Sequence, residues 1–442
     1  MEDPRISRMY LAMIERSLSR VLGRFMSGRW LRSSVTWIVL LVFVLVGVGI
    51  IIRENGRGDL HKLKTQLGAQ NVAPVATIPQ PGGQDAIVLS RAQETAGITP
   101  EFLSATLLPG RGMNVLQITA FLPGKGEVTL LDSPTLAEAA QAMLGIEGDV
   151  NGEASLAMGG ALEVPWAGQM SGAALPGGMG ILANWHGRGL TLPLLRGGNG
   201  SQGAGPQSAV GGLLLKHASD APATTVMREG SVAQASFNAG SFDGHWPSKT
   251  EVRTTVLLSA RTMDLTVVVR NVGMEPEPMG IGWRPRFRIP AGNRERMLLR
   301  IPSTVRTETK SGLPTGALLP VEGTEYDFSS HGGAPLGSTN LNDTFVHLRN
   351  GTLSTGSEIE LRDPDAQYGI RMTALSPSIK AVRVFAPADK SMIMIDPQSN
   401  YDDPFGREWA KNEDTGMVLL QPGENMQWKV RLEIFQVNGR PL

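Results

Sequence analysis

The chain has 442 residues, formal net charge zero, 53 glycines, 29 prolines and no cysteine. Without cysteine there are no disulfides, thiolate metal sites or cysteine nucleophiles, and a neutral balance gives no global reason to bind nucleic acid or another polyanion. Abundant glycine and proline with few aromatic and charged residues suits many short strands joined by tight turns, an all-β chain rather than a helical one.

The first 34 residues carry Arg5, Arg8, Arg16, Arg20, Arg24, Arg29 and Arg32 against Glu2, Asp3 and Glu15. Residues 35–52, "VTWIVLLVFVLVGVGIII", hold no charge and show no polar stripe, which predicts one transmembrane helix. The positive-inside rule keeps the arginine-rich tail cytoplasmic, and "RENGRGD" after the span is not a small-residue cleavage site, so a retained signal anchor is expected. The C-terminal part would then be periplasmic in a bacterial inner membrane, with the lipid bilayer as its first partner. Residues 53–85 end in "NVAPVATIPQPGGQD" and read as a linker, so a folded domain is expected over 86–442.

Within it, "SPTLAEAAQAMLGI" from Ser133 to Ile146 has helical character, with Ser133 or Thr135 available as cap. The glycine-rich stretches at 172–178 and 196–212 lack the strand, lysine and helix of a phosphate loop and read as loops at the mouth of a β-structure. "VRTTVLLSA", "LTVVVRNV", "RMLLRIP", "IKAVRVFAP", "SMIMID" and "MQWKVRLEIF" are alternating or apolar runs bounded by turn residues, hence strands. The six histidines have no metal-ligand spacing and no G-x-S-x-G elbow exists, so neither a metal, another cofactor nor a hydrolase triad is expected.

Seven stretches in order resemble one family, the aldose 1-epimerases or galactose mutarotase-like proteins: "GGALEVPWAGQMSG", "AVGGLLL", "LTVVVRNVGMEPEPMGIGWRPRFRIP", "LPTGALLPVEGTEYDF", "LNDTFVHL", "MIMIDPQSNYDDPF" and "GMVLLQPGENMQWKVRLEIF". The resemblance implies a galactose mutarotase-like β-supersandwich behind the transmembrane helix, and interconversion of sugar anomers by a carboxylate base and an imidazolium acid. At the positions it assigns, this sequence has Gln169 for the binding arginine, Gly211 for the first histidine, Arg284 for the proton-donating histidine, Asn342 for the binding aspartate and Asp396 for the catalytic glutamate.

Arginine does not give up a proton near neutral pH, so Arg284 cannot be a general acid; it can stabilise negative charge or pair with a carboxylate such as Asp396. Gln169 and Asn342 retain donors and acceptors suited to sugar hydroxyls, and Trp166, Trp185, Trp246 and Trp283 offer faces for stacking, or core mass. Arg286 invites either an acidic sugar or phosphate, or a carboxylate on the rim. The expectation is a membrane-anchored periplasmic protein that binds carbohydrate (a free sugar, a sugar phosphate or a polysaccharide end) without ordinary epimerase activity, in envelope polysaccharide metabolism or assembly. The alternatives are an active epimerase with Asp396 as base, and a structural module among inner-membrane protein partners.

Overall fold

The structure, a computed structural model, describes residues 78–437 apart from 95–96, 145–148, 150–151, 195–206, 228–229, 290–293 and 352–354. The expected cytoplasmic tail and the span at 35–52 lie outside the described residues; among those described, no helix is long and apolar enough to cross a membrane. Residues 78–442 form one compact unit. It begins earlier than the expected residue 86, since Pro81 is buried and Gly82 lies against Gly110.

Antiparallel strands dominate the described residues, in one eleven-stranded and one nine-stranded sheet with two small accessory sheets. The nine-stranded sheet shows why these segments are strands. Asn425–Gln436, "NMQWKVRLEIFQ", alternates exposed or half-exposed side chains with buried Met426, Trp428, Val430, Leu432 and Ile434, the period of a strand with one face on the core. Thr250–Leu258 and Gly230–Gly240 repeat the pattern. These apolar faces and the inner face of the larger sheet, with Phe102, Trp283 and Phe287, enclose one core, the two-layer solution that sheets with one apolar face require.

The larger sheet differs at its centre. Every residue of Met392–Gln398 is buried, so this strand is covered on both faces. On the face away from the core the cover is loop backbone. Asn400 exchanges two hydrogen bonds with Ala167 at 2.9 and 3.0 Å, Asp403 accepts from the amide and hydroxyl of Ser171, and Gln169 Nε2 donates to the Gly312 carbonyl at 2.5 Å.

The helix expected near 133–146 is Leu136–Ala142, with Thr135 as N-cap in a capping box with Glu138. The glycine-rich stretch at 172–178 is less of a loop than expected. Gln169–Ala174 is a strand paired with Ile181–Trp185 and with Gln207–Val210. Most of the second stretch, 195–206, lies outside the described residues.

Candidate active site

Trp283, Arg284, Arg286, Asn342 and Asp396 lie on five neighbouring strands of the larger sheet, in the order Gly160–Glu163, Gly282–Arg288, Met392–Gln398, Ala381–Ala386 and Leu341–Val346, whereas Trp166, Gln169 and Gly211 lie off them. Gly282 stands opposite Glu163 on one side and Gln398 on the other. The same register, fixed also by Arg286 opposite Met394, brings Arg284 beside Asp396, while Arg383 flanks Asp396 from the other neighbour. Thr344 stands next to Arg383. Because strand side chains alternate, Glu163, Arg284, Asp396, Arg383 and Thr344 share the face opposite Trp283 and Phe287.

Asp396 is wholly buried. Neither of its oxygens accepts a hydrogen bond from an N–H or hydroxyl of a described residue; its contact is the Glu163 carboxyl. A Cβ placed on Gly282 would lie 3.1 Å from Asp396 Oδ1 and 3.2 Å from Glu163 Oε2, so the two carboxyls meet over a residue that must lack a side chain. Burial first and the Glu163 charge second push the Asp396 carboxyl well above the usual carboxylate range, against the opposing pull of Arg284 and Arg383. Ionisation of Asp396 is therefore disfavoured, and its carboxyl rests against that of Glu163.

Its neighbours are charge-balanced. Glu163 Oε2 accepts from the Gly168 amide at 3.0 Å, and Glu163 Oε1 pairs with Arg284 at 3.3 Å. Asp402 pairs with Arg383 at 3.3 Å and accepts from the Gln169 amide at 3.1 Å and the Thr344 hydroxyl at 2.5 Å. Each buried carboxylate thus has one guanidinium and at least one further donor, the condition for holding charge away from water. A sixth polar group, the buried Gln398 side-chain amide, has no hydrogen-bond partner among the described residues.

The sequence-derived residues fare unequally. Arg284 and Asp396 are adjacent, but the carboxylate that Arg284 binds is Glu163, and no salt bridge holds Asp396, whose ionisation burial disfavours. Gln169 is buried; besides Gly312 its side chain meets the Ser208 hydroxyl at 3.4 Å. Asn342 is exposed at the edge of the group and accepts from Arg383 at 3.1 Å.

Arg286 pairs with Asp132 at 3.4 Å on the rim, the simpler of its two readings. Trp166 and Trp283 are corrected outright. Both are 1% exposed or less; Trp166 stacks on Trp246 at 5.6 Å and Trp283 donates to the Gly160 carbonyl, so they are core residues without a free face for a sugar. Trp246 is likewise buried and donates to the Pro278 carbonyl. Gly211 has φ +86°, and a Cβ there would lie 2.7 Å from Leu156 Cδ1. A histidine at this position would meet both backbone strain and a filled space.

Sequence reasoning missed Glu163, Arg383 and Asp402. The signal existed for the first two, since each is a charged residue inside an apolar strand, "GALE" and "AVRVFA", where an unpaired charge is too costly to persist. Among the described residues the cluster holds no imidazole, and its central carboxyl, Asp396, is wholly buried.

Comparison with known proteins places this geometry. The aldose 1-epimerase family model matches residues 225–433, which include Arg284, Asn342 and Asp396. In sequence, no curated protein matches the chain. In structure it is similar to a galactose mutarotase-like protein from Clostridium acetobutylicum, with TM-score 0.61 and 15% identity over 80% of this chain and 99% of that one. It is also similar to a putative aldose 1-epimerase from Escherichia coli K12 (TM-score 0.56, 16% identity, 79% and 100% covered). A GalM/aldose epimerase homologue from C. elegans gives 0.55, 16%, 80% and 99%. Residues 225–433 thus resemble the aldose 1-epimerases in sequence, and the described residues share the galactose mutarotase-like fold.

Proposed function

We propose that this protein is a carbohydrate-binding member of the mutarotase fold that does not carry out ordinary aldose 1-epimerisation, held at the periplasmic face of a bacterial inner membrane through residues 35–52 and serving envelope polysaccharide metabolism or assembly. The observation that carries this reading is the setting of Asp396: wholly buried against the Glu163 carboxyl, with its ionisation disfavoured, and flanked by arginines. A base must reach the anomeric hydroxyl and ionise readily, and burial opposes both. Loss of the acid partner alone typically costs about 10²- to 10⁴-fold. Sugars already exchange anomers in water, which leaves binding as the better use of the fold. The anchor and its orientation are supported by the uncharged run and the arginine-rich segment before it.

One observation favours a second reading, a structural module in an inner-membrane complex: the loops that seal Asp396 are tied to one another by the hydrogen bonds of Asn400, Asp403 and Gln169.

Exchange NMR on the full chain with neutral sugars, acidic sugars and sugar phosphates tests both readings, with Asp396→Asn as control. Binding without faster anomer exchange is the expected result. Acceleration lost in Asp396→Asn would make Asp396 a working base and overturn the proposal, and absence of any binding transfers the assignment to the structural module.

A further inference from the structure

A cavity of about 490 Å³ opens at the ends of the strands Leu341–Val346 and Ala381–Ala386, beyond the Asp396 cluster. Tyr401 lines it, and the Tyr401 ring belongs with Val346, Ala381 and Trp409 to a small apolar group on this part of the sheet. We infer that this cavity is a binding site for a neutral carbohydrate of one or two rings; the choice of carbohydrate rests on the function proposed above, the location and the neutrality do not.

Three features carry it. The volume lies in the range of sites for small organic ligands. Its polar groups are fixed in advance: Glu413 Oε1 accepts from the Tyr401 hydroxyl at 3.0 Å and from His347 Nε2 at 2.9 Å. His347 is held at φ +52°, a left-handed conformation that a non-glycine residue adopts at a cost and that clusters at ligand sites. A carboxylate oriented by two donors is a ready acceptor for a pair of hydroxyls, and the Asn412 amide supplies both a donor and an acceptor.

The charges disfavour an anionic ligand. Lys380, the ammonium among the described lining residues, is paired with Asp414 at 3.3 Å, so a phosphate or uronate entering here would meet the carboxylates of Glu413 and Asp414 beside a cation already engaged. Ile379, packed in the core and 6% exposed, turns a small apolar edge toward the cavity.

The test is a titration of the full chain in detergent micelles, with isoleucine methyl groups labelled for NMR and the Ile379 signal assigned through Ile379→Val. D-glucose, D-galactose, N-acetylglucosamine and cellobiose are the neutral probes, and inorganic phosphate is the anionic one. At least one neutral sugar is expected to shift the Ile379 methyl while phosphate does not. Glu413→Gln should weaken that sugar about 10-fold or more, the value of a hydrogen bond to a charged group, and Asn412→Ala should weaken it with the methyl spectrum otherwise preserved. Sugar binding that leaves Ile379 unmoved, or that survives both substitutions, overturns the site while the carbohydrate-binding reading stands. A response to phosphate in place of sugar overturns the neutral ligand. No binding of any neutral sugar overturns the site; the carbohydrate-binding reading falls only if the acidic sugars and sugar phosphates of the exchange experiment also fail to bind.

Discussion

Arg284 is the residue that most separates this chain from the chemistry its fold suggests, and its removal gives a sharp test of the buried cluster. In Arg284→Met the guanidinium at 3.3 Å from Glu163 is lost, and the wholly buried Glu163 keeps only the Gly168 amide and the Asp396 carboxyl, with no cation beside it. Stranding one partner of a buried ion pair costs about 3–5 kcal/mol. Removing both is expected to cost far less, because Glu163→Gln in the same chain retains the amide contact without an uncompensated charge and because the Arg284 Nε has no partner to lose among the described residues.

The expected cycle is therefore Arg284→Met destabilised by about 3–5 kcal/mol and the double variant within about 1 kcal/mol of the parent, a coupling larger than independent sites show. Urea unfolding of the full chain in micelles, followed by tryptophan fluorescence, measures both. A single variant within 1 kcal/mol of the parent, or a double variant no better than the single, refutes the reading of Glu163 and Arg284 as a mutually dependent buried pair.

Glu277 gives a pH prediction. It is buried, with Thr250 donating to it at 2.8 Å, and burial pushes its carboxyl up from 4.5 to about 7. The folded state then binds more protons than the unfolded state between those values, so stability falls as pH rises from about 4.5 to about 7; Glu277→Gln removes that slope and should gain on the order of 3 kcal/mol over the parent between pH 4.5 and pH 8, read from urea midpoints. Gly211→Ala, at φ +86° and against Leu156, should cost about 1–3 kcal/mol in the same assay; a neutral result would mean that this turn rearranges freely. Deletion of residues 35–52 should release the protein from membranes at alkaline pH, whereas the full chain stays bound; release of the full chain would remove the anchor.

Much of the fold was legible because strands with one buried face write themselves as alternation. "MQWKVRLEIF" has the period-two pattern that Asn425–Gln436 shows, and the capping box at Thr135 and Glu138 announces the helix. The site was legible in position and not in chemistry. Prolines beside Arg284 and Asp396 fixed where these residues fall in the strands, and the register does bring them together. What decides their behaviour comes from elsewhere in the chain. Glu163 reaches Asp396 only because Gly282 separates their strands, and the cover over both is built from hydrogen bonds between loops more than 200 residues apart in sequence. The tryptophans failed for a different reason: a large ring beside proline or glycine fits a core corner as well as a cleft, and the pattern does not distinguish them.

The cover also sets a limit on what the Asp396 cluster can bind. Opening it requires breaking the two Asn400–Ala167 bonds, the two Ser171–Asp403 bonds, the Gln169–Gly312 bond and the bonds Gln169 makes with Asp402 and with the Asp403 amide. At about 1 kcal/mol net for each, the open form lies about 7 kcal/mol above the closed one and is populated at roughly 10⁻⁵. A ligand that needs the open form loses affinity by that fraction, so an intrinsic Kd on the order of nanomolar would appear as on the order of 100 micromolar. Free monosaccharides, small and strongly hydrated, rarely supply such intrinsic affinity through hydrogen bonds that replace equivalent bonds to water. A ligand for this fold is therefore better met outside the sealed cluster. The cavity lined by His347, Tyr401 and Glu413 is already open and already ordered, and needs no such rearrangement.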